Sequence, residues 1–182
     1  PHDHQGIQRQ SQAGLPALLD FSRGVDLGAA GMDHGESPHV PVGVLKLTTA
    51  KLSTNPAAAS VSVTIDTASI DSNHAERDKH LRNEDFLDVK RYPQARFVST
   101  SYREVGDGKG ELQGELTLHG VTRPITIDVT HIGVGPDPWG GYRLGHEVRF
   151  SIKRSDFGMT HMIGAVGDDV HLTVNSESLL KE

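Results

Sequence analysis

The sequence predicts an all-β fold of antiparallel strands, arranged as a sandwich or as a closed up-and-down barrel. Two observations predict it. Five segments alternate between apolar and polar residues, the period of a strand that buries one face. The connections between successive strands are short and turn-like, which is typical of antiparallel neighbours. Many such strands in one small domain favour a sandwich or a barrel.

The strands can be placed in chain order. At most one strand, near 42–52, is predicted in the first part of the chain. The five alternating runs lie at residues 60–66, 111–118, 125–130, 147–153 and 170–175. A sixth strand over 94–105 alternates less regularly. The glycine-rich segment 106–110 lies between two strands, so it is predicted to be a hairpin loop and not a phosphate-binding loop.

One segment lacks the strand period and predicts a short cross-over helix near residues 73–82. Asn73, or the serine before it, is the predicted N-cap, and Glu76 follows Asn73 at the spacing of a capping box. Asp78 and Arg82 have the i,i+4 spacing of an ion pair.

Composition excludes several classes of function. The chain has 182 residues, enough for one domain with a sizeable core. Its net charge of −6 argues against a nucleic-acid-binding surface. The absence of cysteine excludes disulfides, thiolate metal sites and a cysteine nucleophile. No apolar run approaches the roughly 18 residues of a membrane span, and no signal peptide is visible.

No set of residues in the sequence predicts a catalytic site. The eleven histidines contain no HExxH motif or helical i,i+4 pair, so no metal site is predicted. The charged cluster at 77–85 could bind an anionic head group or supply an acid/base pair, but its balanced charges favour a solvated surface. Trp139 is predicted to pack against an end of the barrel. Gly114 and Gly120 on an apolar face favour a hollow interior, with a filled core as the alternative.

An ordered series of motifs resembles one family. The series includes Val63-Thr64-Ile65-Asp66, Arg77-Asp78-Lys79-His80-Leu81-Arg82, Tyr92-Pro93-Gln94-Ala95, Gly114-Glu115-Leu116-Thr117-Leu118-His119-Gly120, Asp137-Pro138-Trp139-Gly140-Gly141 and Ser155-Asp156-Phe157-Gly158. Over about 128 residues the chain resembles the YceI-like polyisoprenoid-binding proteins, which are lipocalin-like.

The resemblance implies an eight-stranded antiparallel barrel around an apolar tunnel. The tunnel would hold a long isoprenoid or related lipid, such as a polyprenyl phosphate or a ubiquinone-like quinone, for transport or storage. It implies no enzymatic activity, cofactor or metal, and a periplasmic location. A homodimer is possible.

The resemblance also suggests which residues meet the lipid. Five apolar residues are candidates for lining or gating the tunnel: Phe86, Leu87, Phe97, Phe150 and Phe157. Three polar residues could face a phosphate or quinone head: Arg77, Lys79 and His80.

The resemblance divides the chain into a divergent segment, 1–53, and a barrel domain, 54–182. The first segment either supplies the first barrel strands or reflects an altered start or reading frame. Two alternatives to the lipid carrier stay open. One is a stress-response or interaction scaffold with a filled barrel, and the other is an enzyme acting on an apolar substrate through the cluster at 77–85.

Overall fold

The computed structural model describes the backbone of residues 25–29, 43–52 and 61–180, and the side chains of residues 61–177. The strands are β1 Val25–Ala29, β2 Gly43–Leu52, β3 Val61–Asp71, β4 Gln94–Gly106, β5 Lys109–Leu118, β6 Val121–Pro136, β7 Tyr142–Lys153 and β8 Asp169–Leu180. Helix α1 spans Ala75–Leu81, and a 3-10 turn spans Arg154–Phe157.

Every pair of neighbouring strands is antiparallel. β3 to β8 form a curled six-stranded sheet in chain order, with α1 crossing between β3 and β4. This confirms the all-β antiparallel architecture with one helix. The backbone of β1 pairs with both β2 and β8, and β2 pairs with β3. The side chains of β1 and β2, and most of the predicted segment 1–53, lie outside the described residues.

Helix α1 begins one residue later than the predicted cap. The N-cap is His74, whose Nδ1 accepts a hydrogen bond from the amide of Arg77 at 3.2 Å. The predicted Asp78–Arg82 ion pair is replaced by other contacts: Asp78 accepts from the amide and hydroxyl of Ser72, while Arg82 donates to carbonyl oxygens of β3. Within the described part of the chain, no helix is long and apolar enough to cross a lipid bilayer.

The two ends of the sheet differ. At one end, the capped end, α1, residues 83–93 and residues 154–168 cover the strands. Phe157 is only 2% exposed there, and burying such a side chain contributes about 1.5–3 kcal/mol. At the opposite end, the open end, lie the β4–β5 hairpin and the β6–β7 loop.

Candidate functional site

The interior is filled by side chains at the capped end. Phe97 on β4 is in register with Leu116 on β5, and both are buried. The buried apolar cluster consists of Phe97, Leu116, Ile127, Ile152, Phe157 and Met159. Because protein interiors are close-packed, a ligand could enter this part only by displacing these side chains.

Toward the middle of the sheet, the same inward face is less buried. Along β7, Val148 and Phe150 share the face of buried Ile152, and they are in register with Val174 and Leu172 on β8. These four side chains are only partly buried. Partial burial leaves part of each side chain reachable from outside the core, so this stretch of β7 and β8 presents apolar surface that a ligand could contact; we call it the accessible space.

The glycines do not create this space. A Cβ at Gly114 would lie 2.5 Å from Cε2 of Phe97, so the ring of Phe97 occupies the room that Gly114 leaves. Gly120 lies in the β5–β6 turn, with φ 76° and the ring of Tyr92 against it. The prediction that these two glycines hollow out the interior was wrong, because neighbouring aromatic rings fill the gaps.

The inward row becomes solvent-exposed at the open end. Tyr102 is in register with Leu112, and Val134 with Leu144, which places both on the inner face. Tyr102 and Val134 are 54% and 60% exposed. The open end therefore presents an apolar inner rim to water.

Two histidines lie on the inner face just below this rim. His131 on β6 is in register with His146 on β7, and their ring centroids are 5.5 Å apart. Burial lowers the pKa of His146, and the nearby charge of His131 lowers it further. At neutral pH His146 therefore offers a neutral imidazole that can donate and accept hydrogen bonds. Sequence reasoning missed this pair, although the alternation through Val129 and Val148 assigns both histidines to the inner face.

The predicted tunnel residues fall into three groups. Phe97 and Phe157 belong to the filled capped end. Phe150 and Leu87 are partly buried against that cluster, and Phe150 faces the accessible space. Phe86 lies outside the barrel wall, in edge contact with His80 at 5.0 Å between ring centroids. Their tunnel-lining or gating roles stay predictions.

The predicted head-group residues lie together on α1, at the capped end. Arg77 donates from Nε to the hydroxyl of Ser72 at 2.8 Å and from its terminal nitrogen to the Ser72 carbonyl at 2.7 Å. Lys79 is exposed. His80 contacts Asp85, with 3.2 Å between Nε2 and Oδ2. The filled core separates all three from the accessible space, and their head-group role stays a prediction.

A groove of about 550 Å³ lies on the outer face at the open end, under the β6–β7 loop. Arg143 contacts Asp137 and Glu177 at 3.1 Å each and lies 5.3 Å from the ring centroid of Trp139. The amide of Gly141 donates to Asp137, and this hydrogen bond is the main cause of the lowered pKa of that carboxyl. Trp139 is 80% exposed, so the prediction that it packs against the barrel end was wrong.

Comparison with known proteins identifies relatives over much of the chain. The YceI-like domain matches residues 32–178. Over 125 residues, the chain is 50% identical to Protein YceI of Escherichia coli O17:K52:H18 and 48% identical to a UPF0312 protein of Ectopseudomonas mendocina. Each match covers 69% of this chain and 65% of the relative.

Solved structures with the same fold include three informative neighbours. The Campylobacter jejuni YCEI protein superposes with a TM-score of 0.71 at 31% identity, over 84% of this chain and 93% of that one. Burkholderia cenocepacia BcnA gives 0.71 at 27% identity, over 85% and 94%. A polyisoprenoid binding domain from Saccharophagus degradans gives 0.58 at 16% identity, over 92% and 100%, which supports the fold alone. The family match and these relatives confirm the resemblance seen in the sequence: the chain belongs to the YceI-like domain family.

Proposed function

We propose that this protein is a non-enzymatic carrier or store for a long apolar lipid of the isoprenoid class. The observation that carries the proposal is the gradient along the inner face, from the buried cluster at the capped end to the exposed rim at the open end. A fold neighbour is described as a polyisoprenoid binding domain, which supports the choice of lipid class in this proposal. The polyprenyl phosphate and ubiquinone-like ligands predicted from the sequence belong to that class.

The proposal includes a complete barrel. β1 lies between β2 and β8 in strand order, so the β7–β8 wall that carries the accessible space continues into β1. We propose that β1 and β2 close the wall as the predicted seventh and eighth strands. A closed wall leaves no sheet edge exposed to other chains and shelters the lipid from water on all sides.

An apolar interior is sufficient for tight binding. Apolar surface removed from water contributes about 25 cal/mol per Å². A tail that buries about 300 Å² would then gain about 7.5 kcal/mol before the costs of association. A long isoprenoid therefore needs few directed polar contacts.

The polar head is best accommodated at the open end. The tail would lie along Val148, Phe150 and Leu172, which places the head near His131 and His146. A neutral imidazole such as that of His146 can donate a hydrogen bond to a phosphate or a quinone oxygen. The sequence prediction places the head instead at Arg77, Lys79 and His80, on the other side of the filled core.

Native mass spectrometry with lipid extraction tests the proposal. We expect the purified protein to retain a mass of several hundred daltons that organic solvent removes and added polyprenyl phosphate restores. Val148→Trp fills the inner face and should abolish retention. Arg149→Trp places the same ring on the outer face and should leave retention unchanged. An apo mass together with no uptake of polyprenyl phosphate or ubiquinone would refute the carrier and favour the filled scaffold.

Head-group variants separate the two ends of the barrel. If the head lies at the open end, replacing both His131 and His146 by Asn should weaken uptake of the phosphate-bearing lipid. Replacing Arg77 and Lys79 by Gln should then leave lipid uptake unchanged. Uptake that is weakened by the Arg77 and Lys79 replacements and not by the histidine replacements would place the head at the capped end. Residence in the periplasm, homodimer formation and the lack of nucleic-acid binding stay predictions of this proposal.

A further inference from the structure

A cluster of metal-ligating side chains lies at the capped end, outside the barrel wall. His80 from α1, Asp85 from the following turn and His161 from the loop after the 3-10 turn converge there. His80 Nε2 lies 3.2 Å from Asp85 Oδ2, and His161 Nδ1 lies 3.5 Å from Asp85 Oδ1. The side chains are 48%, 36% and 37% exposed in chain order, so an ion from solvent can reach them.

The spacing of the donor atoms fits a transition metal. Zinc binds imidazole nitrogen and carboxylate oxygen at about 2.0–2.1 Å with tetrahedral angles, which separates neighbouring donors by roughly 3.3–3.4 Å. Each imidazole lies close to this distance from a different oxygen of the Asp85 carboxylate, 3.2 Å from His80 Nε2 to Oδ2 and 3.5 Å from His161 Nδ1 to Oδ1. One donor atom from each of the three residues lies within 4.8 Å of the other two.

Hydrogen bonds hold two of the ligands in place. Asn83 accepts from the amide of Asp85 at 2.9 Å and donates to Asp85 Oδ2 at 3.2 Å. Arg154, which is 4% exposed, donates to the carbonyl oxygen of His161 at 2.8 Å. Outer contacts of this kind orient metal ligands and raise affinity.

One side of the cluster is apolar. The ring of Phe86 makes edge contacts with both histidines, at 5.0 Å to His80 and 5.5 Å to His161 between centroids. An ion bound to the three ligands would therefore face Phe86 on one side and solvent on the other. Two imidazoles and one carboxylate leave a coordination position free for water or an oxygen ligand.

We propose that His80, Asp85 and His161 bind a divalent first-row transition-metal ion and leave one position open to an exogenous oxygen ligand. The set of donors suits zinc, iron or cobalt better than calcium or magnesium, which prefer oxygen ligands. This site is separate from the lipid space and does not depend on lipid binding.

Titration with Co²⁺ and Zn²⁺ tests the site on the full chain. Co²⁺ should give visible absorption bands of low coordination number at one equivalent, and Zn²⁺ should displace it. Asp85→Asn keeps the size of the side chain and should remove the bands. His161→Gln should do the same, and Asn83→Ala should weaken the affinity by roughly 10- to 100-fold.

The chain has eleven histidines, nine of them outside the cluster, so the controls test whether another histidine binds the metal. Replacing both His131 and His146 by Asn removes a second pair of neighbouring histidine rings and should leave the Co²⁺ spectrum and affinity unchanged. Circular dichroism checks that each variant is folded. Absence of the bands in the wild-type protein would overturn the proposal. So would an Asp85→Asn or Asn83→Ala variant that binds Co²⁺ as tightly as the wild type.

Discussion

Arg154 is the polar anchor of the capped end, and its replacement by methionine should destabilise the protein strongly. The side chain is buried and donates four hydrogen bonds to backbone carbonyls. Nε donates to Gly167 at 2.8 Å, and one terminal nitrogen donates to Met159 at 2.9 Å and His161 at 2.8 Å. The other terminal nitrogen donates to Val166 at 3.1 Å. The guanidinium thus fixes the loop that carries His161.

The magnitude follows from these contacts. Hydrogen bonds to a charged group contribute about 1.5–3 kcal/mol each, but such values are not additive. Methionine retains the apolar stem and removes the cost of burying a charge. The surrounding loop is largely exposed, so some of the freed carbonyls regain water. We therefore expect the free energy of unfolding to fall by about 3–5 kcal/mol, because each carbonyl left unsatisfied costs about 1–3 kcal/mol and only some of the four regain water.

Urea denaturation followed by circular dichroism measures the change. Arg149→Met is the matched control, because Arg149 is 69% exposed and pairs with Glu147 on the outer face at 2.9 Å. That exposed pair is worth at most about 1 kcal/mol. An Arg154→Met variant whose unfolding free energy lies within about 1 kcal/mol of the control would refute the anchoring role.

Three further outcomes follow from the described contacts. Gly114→Val should lower the free energy of unfolding by about 1–3 kcal/mol, because the valine side chain would overlap Phe97. Gly145→Ala should lower it less, because the nearest atom to an added Cβ there is 3.6 Å away, and thermal unfolding compares the two variants. By NMR, His146 should titrate below the usual pKa of 6.5, because burial and the neighbouring histidine lower its pKa. The free energy of unfolding should therefore fall as the pH drops through 6.5, since the unfolded state then binds more protons, and a His146→Asn variant should lose this dependence. The pKa of Asp78 is lowered by a serine hydroxyl that donates to it, so its stabilisation is present above about pH 3.9 and lost below, and Asp78→Asn should flatten the acid limb of the stability curve.

The strands could be predicted from the sequence because alternation reports directly on which face is buried. The predicted runs at 147–153 and 170–175 fall within β7 and β8. The N-cap of α1 could not be predicted from residue type and spacing alone. Asn73 has φ 57°, a left-handed conformation, while an N-cap requires the extended region that His74 adopts at φ −150°. Only the path of the chain out of β3 decides between the two.

The polar sites depend on contacts between distant residues. His80 and His161 are 81 positions apart in the sequence. They meet because Arg154 holds the loop after the 3-10 turn, which carries His161, against α1. No local spacing encodes that contact. The His131–His146 pair is different, because inward alternation on adjacent strands predicts it once the β6–β7 register is known. That register contains an irregularity between His131 and Gly133, which periodicity alone does not reveal.

The distribution of buried polar groups indicates where a lipid would enter. Thr67, Asp78, Asp88 and Arg154 are buried at the capped end, and their hydrogen bonds hold its loops in place, with Thr67 joining β3 to the loop before β4. Opening this end would break several of these bonds at once, and each costs free energy when it is left unmade. The rim at the open end instead exposes apolar side chains such as Tyr102, and covering them with a lipid tail would be favourable. Entry through the open end thus exchanges exposed apolar surface for buried surface without unfolding the cap, which also leaves the His80–Asp85–His161 cluster undisturbed.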